Sequence, residues 1–186
     1  MKSDSIIDLA RTYLRNKLNE SAKRSISRMI RHLDSGGAVG VISAHRHENT
    51  PAENNKRMRS LRADLKSRGL TAIPQHGTYP ESTEGGGSKD VHEKSFRIHH
   101  HDAGELTKHL KELGHKYNQD SIGIHTKSDG MKFHATKPGG EDFDIGHGMK
   151  IGPDLADKSS TRYSPYRSST ANPKKPKKGK PFSYGS

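Results

Sequence analysis

The chain has 186 residues, a formal charge of +12 and no cysteine. That length holds one ordinary domain with some tail, and the lack of thiols excludes disulfide frameworks, cysteine nucleophiles and cysteine-containing zinc sites. Leu, Ile, Val and Phe together make only 29 residues, about 16%, so any single core is small. No apolar run approaches the ~18 residues needed to span a bilayer, and residues 1–8 lack a signal peptide's apolar stretch, so a soluble protein with no membrane partner is expected.

The charge is uneven along the chain. Residues 1–34 carry a net +4 and residues 158–186 a net +8, while residues 35–157 hold equal numbers of each sign. A neutral centre with basic ends predicts contact with a polyanion through the ends, because each Lys or Arg near a phosphate releases condensed counterions.

In chain order, Ser5 and Asp8 have capping-box spacing, followed by Ile7, Ala10, Leu14 and Leu18 on one helical face. The stripe of Ile26, Met29, Ile30 and Leu33 is rotated from the first, which predicts a break near residues 19–21 and a second helix ended by Ser35-Gly36-Gly37. Arg24, Arg28 and Arg31 then form a row opposite the second stripe, a candidate phosphate-facing face. Residues 38–44 read as a short buried strand. Thr50, Pro51 and Glu53 open a helix that carries Met58, Leu61 and Leu65 inward and stops at Gly69. Leu70 to Ile73 reads as a second strand. Residues 76–91, rich in Gly, Ser and charge, read as a long loop with a Gly85-Gly86-Gly87 tip.

Phe96 and Ile98 alternate with polar residues as in a half-buried strand. Asp102 and Glu105 cap a helix with Leu106, Leu110 and Leu113 on its seam and Gly114 at its end. Ile122 and Ile124 mark a fourth strand, and residues 131–135 a fifth. The order β-α-β, loop, β-α-β predicts an α+β or α/β domain, either a ferredoxin-like split βαβ or a Rossmann-like sheet. The division expected is a helical arm over 1–35, the domain over 36–137, and a Gly-rich linker with a disordered basic tail over 138–186. Lys174, Lys175, Lys177, Lys178 and Lys180 lie in that tail.

A likeness is carried by several short motifs: Val41-Ile42-Ser43-Ala44, Asn54-Asn55, Leu61, Asp64-Leu65 and Arg68-Gly69. It continues with Gly77 before Glu81, His92 to Phe96, and Tyr117 to Ile122. Over about residues 37–127 the chain resembles a family of short α/β proteins found in bacteria and tailed phages. The resemblance implies a fold and a phage or bacterial setting but no reaction. Its polar signature falls on Ser43, Asn54, Glu93, Ser95, Gln119 and Asp120.

Independently, the end of the first strand brings Ser43, His45 and Arg46 to a helix N-terminus, a place where anions tend to bind. No glycine fingerprint of a dinucleotide loop or P-loop is present. Thirteen histidines invite a metal reading, with His99 and His101 as the pair that strand alternation sends to one face. The units His76-Gly77-Thr78 and His134-Ala135-Thr136 are similar to the catalytic pair of two-histidine phosphoesterases.

These features favour a non-enzymatic, phage-type accessory protein of the virion or host cytoplasm. It would use no cofactor, contact DNA non-specifically through Arg24, Arg28, Arg31 and the tail lysines, and pair with other virion or self subunits. The alternatives are a nucleotide-binding or phosphodiester-hydrolysing enzyme and a purely structural protein anchored by its tail.

Overall fold

The computed structural model describes residues 27–82, 88–147, 149–151, 161–162 and 181–184. The first helix expected, the break near residues 19–21, Arg24, the triple-glycine tip and Lys174 to Lys180 lie outside them. The second helix expected is present as α1 over 27–34. Its end is closed by Gly36 at φ 85° and by the Gly37 amide donating to the His32 carbonyl at 3.0 Å.

The main elements follow as β1 (Ala38–Ile42), α2 (Pro51–Ser67), β2 (Ile73–Ser82), β3 (Ser88–His100), α3 (Ala103–Lys116), β4 (Ser121–Thr126) and β5 (Gly130–Ala135). Four short strands come after them: β6 (Phe143–Asp144), β7 (Met149–Ile151), β8 (Thr161–Arg162) and β9 (Pro181–Tyr184). They form one antiparallel sheet in the order β6-β5-β4-β1-β3-β2-β8-β9-β7. The central order β4-β1-β3-β2, with α2 and α3 as crossovers, is the ferredoxin-like split βαβ; the Rossmann-like alternative required parallel pairs. Two strands, β8 and β9, come from the segment whose composition marks it as tail.

Two sequence expectations need correction. Residues 76–82 and 88–91 are not a loop. They are the arms of the β2–β3 hairpin, paired from Ile73↔Arg97 to Ser82↔Ser88. Backbone pairing with each other, rather than burial of alternating apolar side chains, holds them extended. Gly114 does not end α3 either. It sits inside the helix where an added Cβ would lie 2.6 Å from Thr136 and 3.0 Å from Ile122 side-chain atoms, and the left-handed residue beyond the helix is Asn118 at φ 51°.

Both crossover helices start as their capping residues dictate. The Thr50 amide donates to Glu53 Oε2 at 2.7 Å while the Glu53 amide donates back to Thr50 Oγ1 at 3.3 Å. The Asp102 carboxylate accepts from the Glu105 amide at 2.8 Å. Leu61 and Leu65 of α2 and Leu106, Leu110 and Leu113 of α3 are fully buried and pack on Ile42, Phe96, Ile98, Ile122 and Ile124. The opposite sheet face carries a smaller cluster of Met29, Leu33, Val39 and Met131 under α1. Side chains alternate along a strand, so Lys94, Phe96 and Ile98 of β3 face the α2–α3 layer, while Glu93, Ser95, Arg97 and His99 face the other side.

Candidate active site

The carboxyl end of β1 runs into a polar knot. Ser43 Oγ donates to the Lys94 carbonyl at 2.7 Å and accepts from the His45 amide at 2.9 Å. The Asn54 side chain accepts from the Arg46 amide and donates to the Arg46 carbonyl, both at 2.9 Å, so one side chain pairs with that residue as a neighbouring strand would. Gln119 Nε2 donates to the His45 carbonyl at 3.1 Å. Arg46 donates to the Asn118 carbonyl at 2.9 Å and meets Asp120 at 3.4 Å. Six residues singled out in the sequence, Ser43, His45, Arg46, Asn54, Gln119 and Asp120, are thereby brought together where β1, α2 and the α3–β4 turn converge.

Below that knot lies the titratable cluster. His45 is pushed down to about 4 from its ordinary value, first by burial and then by the charges of Lys94, His76 and Arg57. Its Nε2 is buried without a hydrogen-bond partner. His76 stands directly across the ladder from Lys94 and is lowered by burial and by that ammonium. Burial also lowers Lys94 itself, whose Nζ donates to Asn55 Oδ1 at 3.0 Å. Arg57 donates from Nε to the Ala44 carbonyl at 2.7 Å and from a terminal nitrogen to the Tyr117 carbonyl. Among the described residues no carboxylate pairs with Lys94 or Arg57. Two partly buried cations therefore stand beside a buried imidazole whose Nε2 makes no hydrogen bond.

Glu93 and Ser95 do not join this cluster, because alternation turns them to the opposite face, across from Gly77 and Gln75. The two His-x-Thr units do not meet. His76 is on β2 and His134 on β5, four strand spacings away in the sheet, or roughly 19 Å. His134 is instead held by Asp142 at 2.7 Å, and Thr136 donates to the Gln119 carbonyl; the side chain of Thr78 lies outside the described residues. His99 and His101 are not a pair either. β3 ends at His100, so His101 leaves the alternation, and His99 stacks on His32 on the far face, 5.1 Å between ring centroids. Arg28 and Arg31 are exposed on α1. A hollow of about 230 Å³ lies elsewhere, lined by Thr107, Ile124, Lys132 and His134 among others; its Lys132 and His134 face Asp144 and Asp142.

Sequence reasoning missed Lys94, Asn55 and Arg57. One signal was available: in a strand whose Phe96 and Ile98 face inward, alternation places Lys94 on the same apolar face.

A buried imidazole beside two cations that no described carboxylate pairs marks a candidate functional site, since enzymes shift such groups for their chemistry. The chain belongs to the S-Adenosylmethionine lyase family: the family's model matches residues 40–171, more than two thirds of its length. No curated protein matches the chain. The match overturns the expectation of a non-enzymatic virion or nucleic-acid-binding protein, and with it the phosphodiesterase and tail-anchored structural alternatives. The physical reason is that basic ends describe solubility and non-specific attraction, which are independent of what the folded body does. The matched region begins inside β1 and takes in the whole cluster, while residues 1–39 and Lys174 to Lys180 fall outside it.

Proposed function

We propose that this protein is an enzyme that breaks a carbon–sulfur bond of S-adenosylmethionine without water as a co-substrate, and that the β1-end cluster binds the amino-acid end of that substrate. The observation that carries the reading is the family match across residues 40–171. In such a cleavage the bonding pair goes to sulfur, the sulfonium becomes a neutral thioether, and the carbon left behind is satisfied by the substrate's own electrons. These come from its carboxylate or from a C–H bond whose proton a base removes. The positive charge on sulfur vanishes in the transition state, so a carboxylate pressed against it would stabilise the ground state more than the transition state. Both routes demand that the protein fix the reacting end, and the second also demands an unprotonated base.

The cluster meets both demands. Lys94 suits the substrate's α-carboxylate as a charge-assisted donor. His45, held at about 4, is a neutral base at physiological pH. Lys94 takes the ion-pairing role, Arg57 shapes the floor by tying Ala44 to Tyr117, and His45 is the proton acceptor.

The test is to incubate the purified protein with S-adenosylmethionine and follow the nucleoside and amino-acid products by chromatography and mass. Loss of substrate with release of a neutral thioether nucleoside supports cleavage on the amino-acid side of sulfur, and release of methionine supports cleavage on the ribose side. A substrate concentration that stays unchanged from pH 6 to pH 9 refutes the reading. Turnover that is unaffected by both His45→Ala and Lys94→Met keeps the activity but moves the site.

A further inference from the structure

At the far end of β3 the chain leaves the sheet, and three side chains converge that the proposed reaction does not use. β3 ends at His100, His101 sits in a bend, and Asp102 caps α3. The His100 and His101 rings stack with centroids 4.5 Å apart. One ligand-type atom from each of His100, His101 and Glu105 lies within 4.8 Å of the other two. We propose that these three residues form a binding site for a divalent transition-metal ion of the zinc class, with His109 at its border.

His100 Nδ1 lies 2.8 Å from the Asp102 carbonyl oxygen and 3.1 Å from the Asp102 amide nitrogen, so the backbone of Asp102 holds the ring from that side in either tautomer. Nε2 then faces Glu105 Oε2, at 3.7 Å. A metal on Nε2 selects the tautomer in which Nδ1 donates to that carbonyl. A histidine whose second nitrogen is anchored to a backbone carbonyl is also the usual arrangement of a metal-ligating imidazole, since the anchor sets ring orientation and raises basicity.

The donor set and geometry agree. Around a tetrahedral zinc ion, ligand atoms about 2.0–2.1 Å from the metal stand roughly 3.3 Å apart. His101 and Glu105 are exposed, so small rotamer changes bring their atoms to that spacing without moving the backbone. The other Glu105 oxygen lies 3.7 Å from His109 Nε2, one helical turn on. Imidazole nitrogens with one carboxylate oxygen select zinc, nickel or copper over magnesium or calcium. The α3 dipole opposes a cation here, but the capping residue Asp102 and Glu105 of the first turn put two carboxylates beside it. The site is distinct from the lyase cluster, because His100 lies six residue steps beyond Lys94, roughly 20 Å along β3.

The test is equilibrium dialysis of the full chain against zinc ion alone, with cobalt substituted for its visible absorption. The expected result is one equivalent bound tightly, with a cobalt spectrum of low coordination number. Binding should be weakened roughly tenfold or more by either His101→Ala or Glu105→Gln and left unchanged by His47→Ala, whose side chain is 82% exposed. Both altered positions lie at the surface, and thermal melts confirm that the variants fold. Absence of a stoichiometric cobalt spectrum overturns the proposal. So does equal binding by all three variants, which would mean adventitious binding to surface histidines only.

Discussion

His32 lies ring on ring with His99, centroids 5.1 Å apart and planes 13° from parallel, and its Nε2 reaches the carbonyls of Ala38 and His100 at 3.1 and 2.9 Å. The stack docks α1 on the sheet. His99 is pushed down to about 4, first by burial and then by Arg97, His32 and Arg28. His45 is depressed to the same level.

A folded-state value below the unfolded one means that protonation favours the unfolded chain. The stabilisation is fully present above about pH 6.5, where an unfolded histidine is neutral, and is lost as the pH falls toward 4. The depressed carboxylates of Asp64 and Asp142 act only below the ordinary carboxylate range, so the interval from pH 6.5 to 5 reports the imidazoles. The limiting slope is about 1.4 kcal/mol per pH unit for each ring, reduced by solvent at the rings' exposed edges. Urea midpoints should fall between pH 7 and pH 5, and His99→Gln should flatten part of that fall. A midpoint constant over this interval contradicts the buried neutral rings.

Arg57 joins the exit of β1 to the turn after α3. Arg57→Met removes two charged donors and leaves two carbonyl oxygens unpaired, so stability should drop by about 2–4 kcal/mol. Arg57→Lys keeps the charge but not the two-pronged reach and should recover less than half. Urea unfolding of both variants checks this, and wild-type stability in Arg57→Met would show that the floor does not depend on it.

In the lyase assay, Lys94→Met should raise KM for S-adenosylmethionine by about tenfold or more, the effect of losing a charge-assisted bond to the carboxylate. His45→Gln should act mainly on kcat. If the two variants moved the same parameter, the separate roles given to them would be wrong.

Gly130 opens β5 at φ 72°, and an added Cβ would lie 2.4 Å from the Gly146 carbonyl oxygen. Gly69 has nearly the same φ, 74°, but open space around it. Gly69→Ala should therefore cost only the backbone strain, about 1 kcal/mol, and Gly130→Ala distinctly more, since a backbone must move as well. Thermal melting of the pair isolates the crowding term; equal losses would refute it.

The residues that declare themselves locally were legible. Thr50 with Glu53, and Asp102 with Glu105, announce helix starts because capping is settled within one turn. The apolar seams of α2 and α3 follow from their spacing. The β2–β3 hairpin was hidden because its arms are held by each other's backbone, which leaves no apolar alternation to read. Of the site, Ser43 and Arg46 could be singled out at the end of the first strand, and Asn54 and Gln119 through the family resemblance. The partnership of His45 with His76 and Lys94 could not, since it depends on β3 lying between β1 and β2. The net charge misled: it pointed to the ends, whereas the family match covers the folded body.

The β3 ladder also sets how this protein can vary. Glu93 and Lys94 are adjacent in the chain yet serve opposite surfaces, so a single-residue insertion upstream in that strand would present an anion to the α2 layer where a cation now stands, and would carry His99 out from beneath α1 in the same stroke. Changes in chain length should therefore be tolerated outside the paired arms of β2 and β3 and selected against within them.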